Sequence, residues 1–203
     1  MFVLALGPLA RLAVGAYTNA LGANPIEAIT RSTGTWTLSF LLITLSVTPL
    51  RKLTGWNWLL RLRRMLGLYA FFYAVLHFIT YIWLDQFFDL GAMAKDVIKR
   101  PFITAGFTSF LLLIPLAATS TGAMVKRLGA KKWLALHRLV YAVGVGGVVH
   151  YWWLVKRDIT QPAIYAAVLV VLLGLRLLHH ARESAAVAVA RRRGSALRAT
   201  NRP

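Results

Sequence analysis

The sequence predicts an all-α integral membrane protein, folded as one six-helix transmembrane bundle. Three observations predict it. The chain of 203 residues is 58% hydrophobic and carries only six acidic side chains. Its apolar residues gather into six runs joined by short polar stretches. Its basic residues collect in alternate joints rather than over one continuous face. A soluble domain of this size combines none of these features.

In order, the runs are Phe2–Leu21, Thr33–Leu50, Leu66–Leu84, Phe102–Thr119, Leu134–Val155 and Pro162–Leu178. Most have the ~20 residues with which a helix rising 1.5 Å per residue crosses ~30 Å of hydrocarbon. The first run differs, because Gly7-Pro8 interrupts it, Arg11 follows and no basic stretch precedes it. It reads as an uncleaved, kinked first helix with Arg11 snorkelling or facing the bundle; a cleaved signal peptide is the alternative. Residues 1–180 then form one transmembrane domain and residues 181–203 a basic tail.

The net charge of +18 raises nucleic-acid binding, and the distribution of charge argues against it. Of the 24 Lys and Arg residues, 17 fall in Arg51–Arg64, Lys126–Arg138 and the stretch from Arg176 through the tail, which includes Arg191–Arg193. By the positive-inside rule those regions face the cytoplasm, which places both termini inside and the bases against anionic lipid headgroups. Glu27, Asp85, Asp89, Asp96 and Asp158 fall at the opposite, outer end. The absence of cysteine excludes disulfides, iron–sulfur clusters, thiol redox chemistry and covalent c-type haem attachment. No P-loop or dinucleotide-binding glycine motif opens a helix after a strand.

The informative residues are histidines. His179 and His180 stand at the cytoplasmic end of the last run, where interfacial polar residues are ordinary. His77 lies ~20 Å along the third span from its cytoplasmic start near Arg64, and His150 lies ~20 Å along the fifth span from His137. The two helices run in the same direction, so His77 and His150 share a depth in the outer half of the bilayer. Paired neutral imidazoles on rigid helices suit a haem iron, held here between the third and fifth helices. Hydrogen-bonded core histidines or a proton relay are the alternative. Gly144–Gly147 leaves room for a flat ligand or for close helix packing, and Phe71, Phe72, Tyr73 and Tyr81 supply flanking aromatics. Zinc and copper fit less well, because no carboxylate or thiolate lies deep in a span to complete a ligand set.

His137 has no such partner. Thirteen residues before His77, at the matching offset, stands Arg64. His137 could hold a second haem with an unusual sixth position, pair with a propionate or bind another cofactor. Its 13-residue offset from His150 turns ~140° on an ideal helix, so both share a groove only if the glycine region distorts the helix. Arg64, Arg138 and Trp133 are candidates to surround that inner cofactor or a quinone. Arg100, Lys99 and Lys156 are candidates for propionates or partner docking, or are plain interfacial anchors.

With "RRMLGL" and "LH" in the third span and "LHRLVY" and His150 in the fifth, the chain resembles the ferric-reductase-like transmembrane domain family. "GANPIEAITRSTG", "TPLRK", "IKRPFITAG" and "TSTGAM" support the resemblance in order and spacing, and it covers nearly the whole chain. Within that family it is most similar to haem-binding membrane subunits of periplasmic methionine sulfoxide reductase systems. The resemblance implies a b-type cytochrome of the bacterial inner membrane with one or two haems b, held at His77, His137 and His150, and FMN, for which no residue is matched. It implies electrons taken from the quinone pool or a cytosolic flavin reductase and delivered to a periplasmic molybdopterin enzyme, MsrP, in a heterodimer that repairs oxidised proteins. The first span and the Ala- and Arg-rich tail depart from the pattern. Only 23 residues follow His180, too few for an appended flavin and nicotinamide domain, so an electron-transfer subunit rather than a catalytic one is expected. A self-sufficient cytochrome b561-like or ferric reductase-like oxidoreductase and a proton-coupled transporter remain open as rivals.

Overall fold

The structure, a computed structural model, describes residues 2–200, with side chains as far as Arg182 and at Ser184 and Ala185. The basic tail expected over 181–203 is described as helix through Thr200, and most of its side chains lie outside the description. All regular structure described is helical, and five helical segments are long and apolar enough to cross a membrane: Pro25–Thr54, Leu59–Asp85, Pro101–Ala118, Ala130–Leu154 and Thr160–Arg182. The architecture is the expected all-α membrane bundle.

The first run supplies no sixth such helix. It forms α1 (Phe2–Ala5) and α2 (Gly7–Tyr17), broken at Leu6. Pro8 has no N–H to continue the ladder, which gives the break its chemical reason. α1 is held against the bundle by hydroxyls, since Tyr69 donates to the Phe2 carbonyl at 3.0 Å and Tyr73 to the Ala5 carbonyl at 2.8 Å. Arg11 on α2 is exposed rather than turned inward.

The second span, α3 (Pro25–Thr54), starts eight residues earlier than its apolar run because its cap lies in polar sequence. Asn24 accepts from the Glu27 N–H at 3.2 Å, and Pro25 occupies the first turn, where no N–H is needed. Gly55 ends the helix in the left-handed conformation (φ 74°), which a residue with a Cβ adopts at a cost. α4 (Leu59–Thr80) packs along α3 and runs on through a wider π-type turn, Tyr81–Asp85. The amphipathic α5 (Leu90–Lys99), capped by Asp89, leads into α6 (Pro101–Ala118). After α7 (Gly122–Leu128), the short α8 (Ala130–His137) and α9 (Leu139–Leu154) follow one another across a break at Arg138. α9 packs chiefly on α6, and α10 (Thr160–Thr200) covers α3 and α9.

Tyr73, Ala70, Leu45 and Val143 are almost wholly buried at the centre. Phe40 stacks on Tyr69 and Tyr73, with ring centres 5.7 and 5.4 Å apart. Buried hydroxyls return to their own helices: Thr44 donates to the Phe40 carbonyl, Ser109 to Ala105 and Thr80 to His77. Such bonds keep polar groups satisfied where no water is available. Large apolar side chains such as Leu111, Val170 and Val171 point outward, as lipid-facing surfaces require.

Candidate functional site: two opposed imidazoles over a cavity

α4 and α9 bring His77 and His150 together. Their ring centres lie 6.1 Å apart and the planes cross at 74°. Each ring is fixed by the same device on a neighbouring helix. His77 Nδ1 lies 2.9 Å from the Thr30 carbonyl on α3, and His150 Nδ1 lies 2.7 Å from the Phe102 carbonyl on α6. A carbonyl only accepts, so both Nδ1 atoms carry the proton and both Nε2 atoms carry the lone pair. Four residues beyond each carbonyl is a glycine. A Cβ at Gly34 would lie 3.0 Å from His77 Cε1, and one at Gly106 would lie 2.7 Å from His150 Nδ1. The glycines are the slots in which the rings lie.

The pair lines a cavity of about 770 Å³ between α3, α4, α6 and α9. Leu38, Phe78, Phe107 and Phe110 make its walls apolar, Gly147 widens one side, and Arg31 and Arg100 stand on its lining. This volume falls in the range of cofactor sites. Two imidazole nitrogens ~2 Å from a shared metal, with ring centres ~1 Å beyond, would place the ring centres ~6 Å apart. The observed separation, the shared tautomer and the largely apolar, cofactor-sized cavity fit a haem. Among the described residues no three His, Cys, Asp or Glu side chains converge, so the donor set at this place is two imidazoles.

The other expected residues fall elsewhere. Phe71, Phe72 and Tyr73 belong to the packed core, while Tyr81 lines the cavity. Of the glycine run, Gly144 packs on Leu169 and Gly146 on Ser109, so both readings of that stretch hold for different members. His137 ends α8 at the basic end of the bundle. Trp133 stacks on it with centres 3.9 Å apart, and Trp133 Nε1–H donates to the Thr119 carbonyl at 2.9 Å. His137 Nε2 lies 3.0 Å from Thr119 Oγ1, whose own proton goes to the Pro115 carbonyl at 2.6 Å. A hydroxyl has one proton to give, so His137 Nε2–H is the donor in that contact. Arg64 and Arg138 are exposed, as are Lys99 and Lys156.

Among the described residues Arg51, Arg63 and Arg176 are half-buried at this end, none of them singled out by the spacing of the histidines. Arg176 donates to the Tyr141 hydroxyl and, at 2.5 Å, to the Leu45 carbonyl. That carbonyl lacks its helical partner because residue 49 is proline. A proline in a span followed in space by a buried basic residue was the available signal.

A membrane-embedded bundle with opposed histidines over a cofactor-sized cavity defines a class, the haem-carrying transmembrane domains. Residues 33–148 match the family model described as ferric reductase like transmembrane component. The protein-methionine-sulfoxide reductase heme-binding subunit MsrQ of Herminiimonas arsenicoxydans is 60% identical over 179 residues, covering 87% of this chain and 82% of that one. The MsrQ subunit of Azospira oryzae is 59% identical, covering 90% and 78%, and that of Rhodospirillum rubrum 54%, covering 88% and 86%. The chain belongs to the ferric-reductase-like transmembrane family and, within it, to the MsrQ heme-binding subunits. No solved structure matches it.

Proposed function

We propose that the chain is the haem b subunit of a methionine sulfoxide reductase system, relaying electrons through the bacterial inner membrane to a periplasmic molybdopterin subunit, MsrP. The relatives named as heme-binding subunits support a membrane electron-transfer role. One observation carries the site: two imidazoles, each tied through Nδ1–H to a carbonyl, face one another across 6.1 Å in a cavity. His77 and His150 are the residues that would hold the iron, each with an unprotonated Nε2. Haem supplies one-electron transfer when bound. Thr30 and Phe102 keep both rings neutral and oriented, because a ring that gives its Nδ1 proton to a carbonyl keeps a lone pair on Nε2. The apolar walls exclude water. Arg31, in an exposed pair with Glu27 at 2.7 Å, and Arg100, paired at 3.3 Å with the part-buried Asp96, are placed to meet carboxylates at the cavity. An exposed pair is worth ~1 kcal/mol or less, so Arg31 exchanges its partner at little cost.

The pair lies at the end of the bundle that carries the acidic side chains, and the positive-inside rule assigns that end to the periplasm and both termini to the cytoplasm. Donors consistent with this orientation are the quinone pool and a cytosolic flavin reductase, with FMN as a further cofactor. Residues 1–180 act as the haem-binding domain and 181–203 as a cytoplasmic tail. His137, bonded to Thr119 through Nε2, is not needed for this haem, and Arg64 and Arg138 stand exposed near the inner surface.

The test is made on the full chain purified from membranes with ample haem supply. A Soret band, a bis-imidazole low-spin signal and stoichiometric haem per polypeptide are expected. Reduced protein mixed with MsrP and methionine sulfoxide should reoxidise. Colourless protein would leave the proton-transporter reading standing, and turnover of an acceptor without MsrP would favour a self-sufficient oxidoreductase.

A further inference from the structure

At the basic end of the bundle, half-buried arginines stand without a carboxylate partner among the described residues. Arg176 stands on α10 about 24 Å from Thr160, near the far edge of a ~30 Å hydrocarbon layer. A guanidinium has five N–H donors. Those of Arg176 engage the Tyr141 hydroxyl and the Leu45 carbonyl, while its Nε is buried without a partner. The Arg176 guanidinium also lies 5.1 Å above the Tyr141 ring, which orients it. Arg63, one turn into α4, is half-buried and close enough to interact electrostatically with Arg176, Tyr141 and His137. On α3, one and two turns beyond Leu45 toward the same end, Thr48 Oγ1 and Arg51 Nε are likewise buried without a partner.

No described carboxylate answers these charges. Glu27, Asp85, Asp89, Asp96 and Asp158 all stand at the opposite end, and the side chain of Glu183 lies outside the described residues. Two like charges held together at the edge of hydrocarbon are costly unless an anion joins them. A planar guanidinium offering Nε and a terminal N–H side by side matches two oxygens of a phosphate. The depth agrees as well, because a lipid phosphate sits where the hydrocarbon ends.

We propose that Arg63, Arg176 and Arg51, with Thr48 and Tyr141, form a site for a phosphate group at the basic end of the bundle. The phosphate belongs either to an anionic phospholipid headgroup or to a soluble phosphate compound that enters from the aqueous side. The site is separate from the histidine pair and does not depend on its haem.

The full chain in detergent is examined by native mass spectrometry after addition of phosphatidylglycerol or phosphatidylcholine, and delipidated protein is dialysed against labelled inorganic phosphate. Retention of phosphatidylglycerol under activation that strips phosphatidylcholine, reduced at least tenfold by Arg63→Gln and by Arg176→Gln, identifies the lipid source. Binding of inorganic phosphate lost in the same variants, without selective lipid retention, identifies the soluble source. Arg51→Gln, which removes no bond seen in the fold, should reduce the same binding several-fold. It keeps the test decisive should Arg176→Gln unfold when the Leu45 carbonyl is exposed. Far-UV circular dichroism and elution volume report folding independently of haem. Equal retention of both lipids and equal phosphate binding by wild type and all folded variants would overturn the proposal. So would loss of haem in those variants with phosphate binding unchanged.

Discussion

The two ends of the bundle use the same residue type in opposite ways. At the acidic end, His77 and His150 give their Nδ1 protons to the carbonyls of Thr30 and Phe102, leaving the lone pair on Nε2 in rings that line a cavity. At the basic end, His137 gives its Nε2 proton to Thr119 and lies under Trp133. The first arrangement offers two ligands, whereas the second closes one. A histidine's chemistry follows from which of its nitrogens the neighbours occupy, and those neighbours come from other helices. The comparison also separates what each end can attract: apolar walls and paired lone pairs at one, half-buried guanidinium groups at the other.

The sharpest way to break this contrast is to remove one ligand. His150→Ala or His77→Ala should abolish the low-spin bis-imidazole spectrum, read by absorption and electron paramagnetic resonance. A low-spin signal that survives either change would undo the pairing. A smaller effect is expected from filling a slot. Gly106→Ala puts a Cβ 2.7 Å from His150 Nδ1 and should weaken haem retention by tenfold or more, since overpacking costs ~1–3 kcal/mol. Gly34→Ala, with its nearest approach at 3.0 Å, should cost less. Equal haem content in all three proteins would show that the rings shift freely.

At the other end, Thr119→Val should destabilise the protein by ~1 kcal/mol through the lost hydrogen bond, measured by thermal unfolding, and leave the spectrum of the His77–His150 pair unchanged. Should that spectrum collapse, the two ends are not independent. The smallest effect concerns Asp158, outside the spans, whose carboxylate accepts from the Thr160 N–H at 2.9 Å and is held below the usual aspartate range by that residue's side-chain and backbone bonds. A depressed folded value means that its contribution is present above the ordinary aspartate pKa and lost as pH falls through the lower one. Acidification through that window should loosen the start of α10, and Asp158→Asn should flatten the response in hydrogen exchange.

Much of the site was legible in advance at the level of depth. Rise per residue places His77 and His150 at one level on parallel-running helices, and the structure brings their rings together. The partners were not legible. Thr30 and Phe102 act through backbone carbonyls that any residue would supply, and Gly34 and Gly106 ended quoted motifs without an assigned task. The first run shows the same limit from another side, since composition admits a span where Pro8 and the hydroxyls of Tyr69 and Tyr73 produce two short helices. At the basic end, counting offsets pointed to Arg64 and Arg138, which are exposed, whereas Arg63 and Arg176 turn inward. An interval along one helix fixes height to within a residue but leaves azimuth open, because each residue turns the chain by ~100°.

By itself, then, the sequence determined that this chain spans a membrane, which end carries the positive charge and that His77 and His150 stand at one level on parallel-running helices. Those properties depend on composition and on the constant rise of a helix, both of which are local. Only the packed bundle decided which nitrogen of each ring is open, which glycines make room and which arginines turn inward. Such outcomes depend on contacts between helices far apart in the chain, and no local rule carries them.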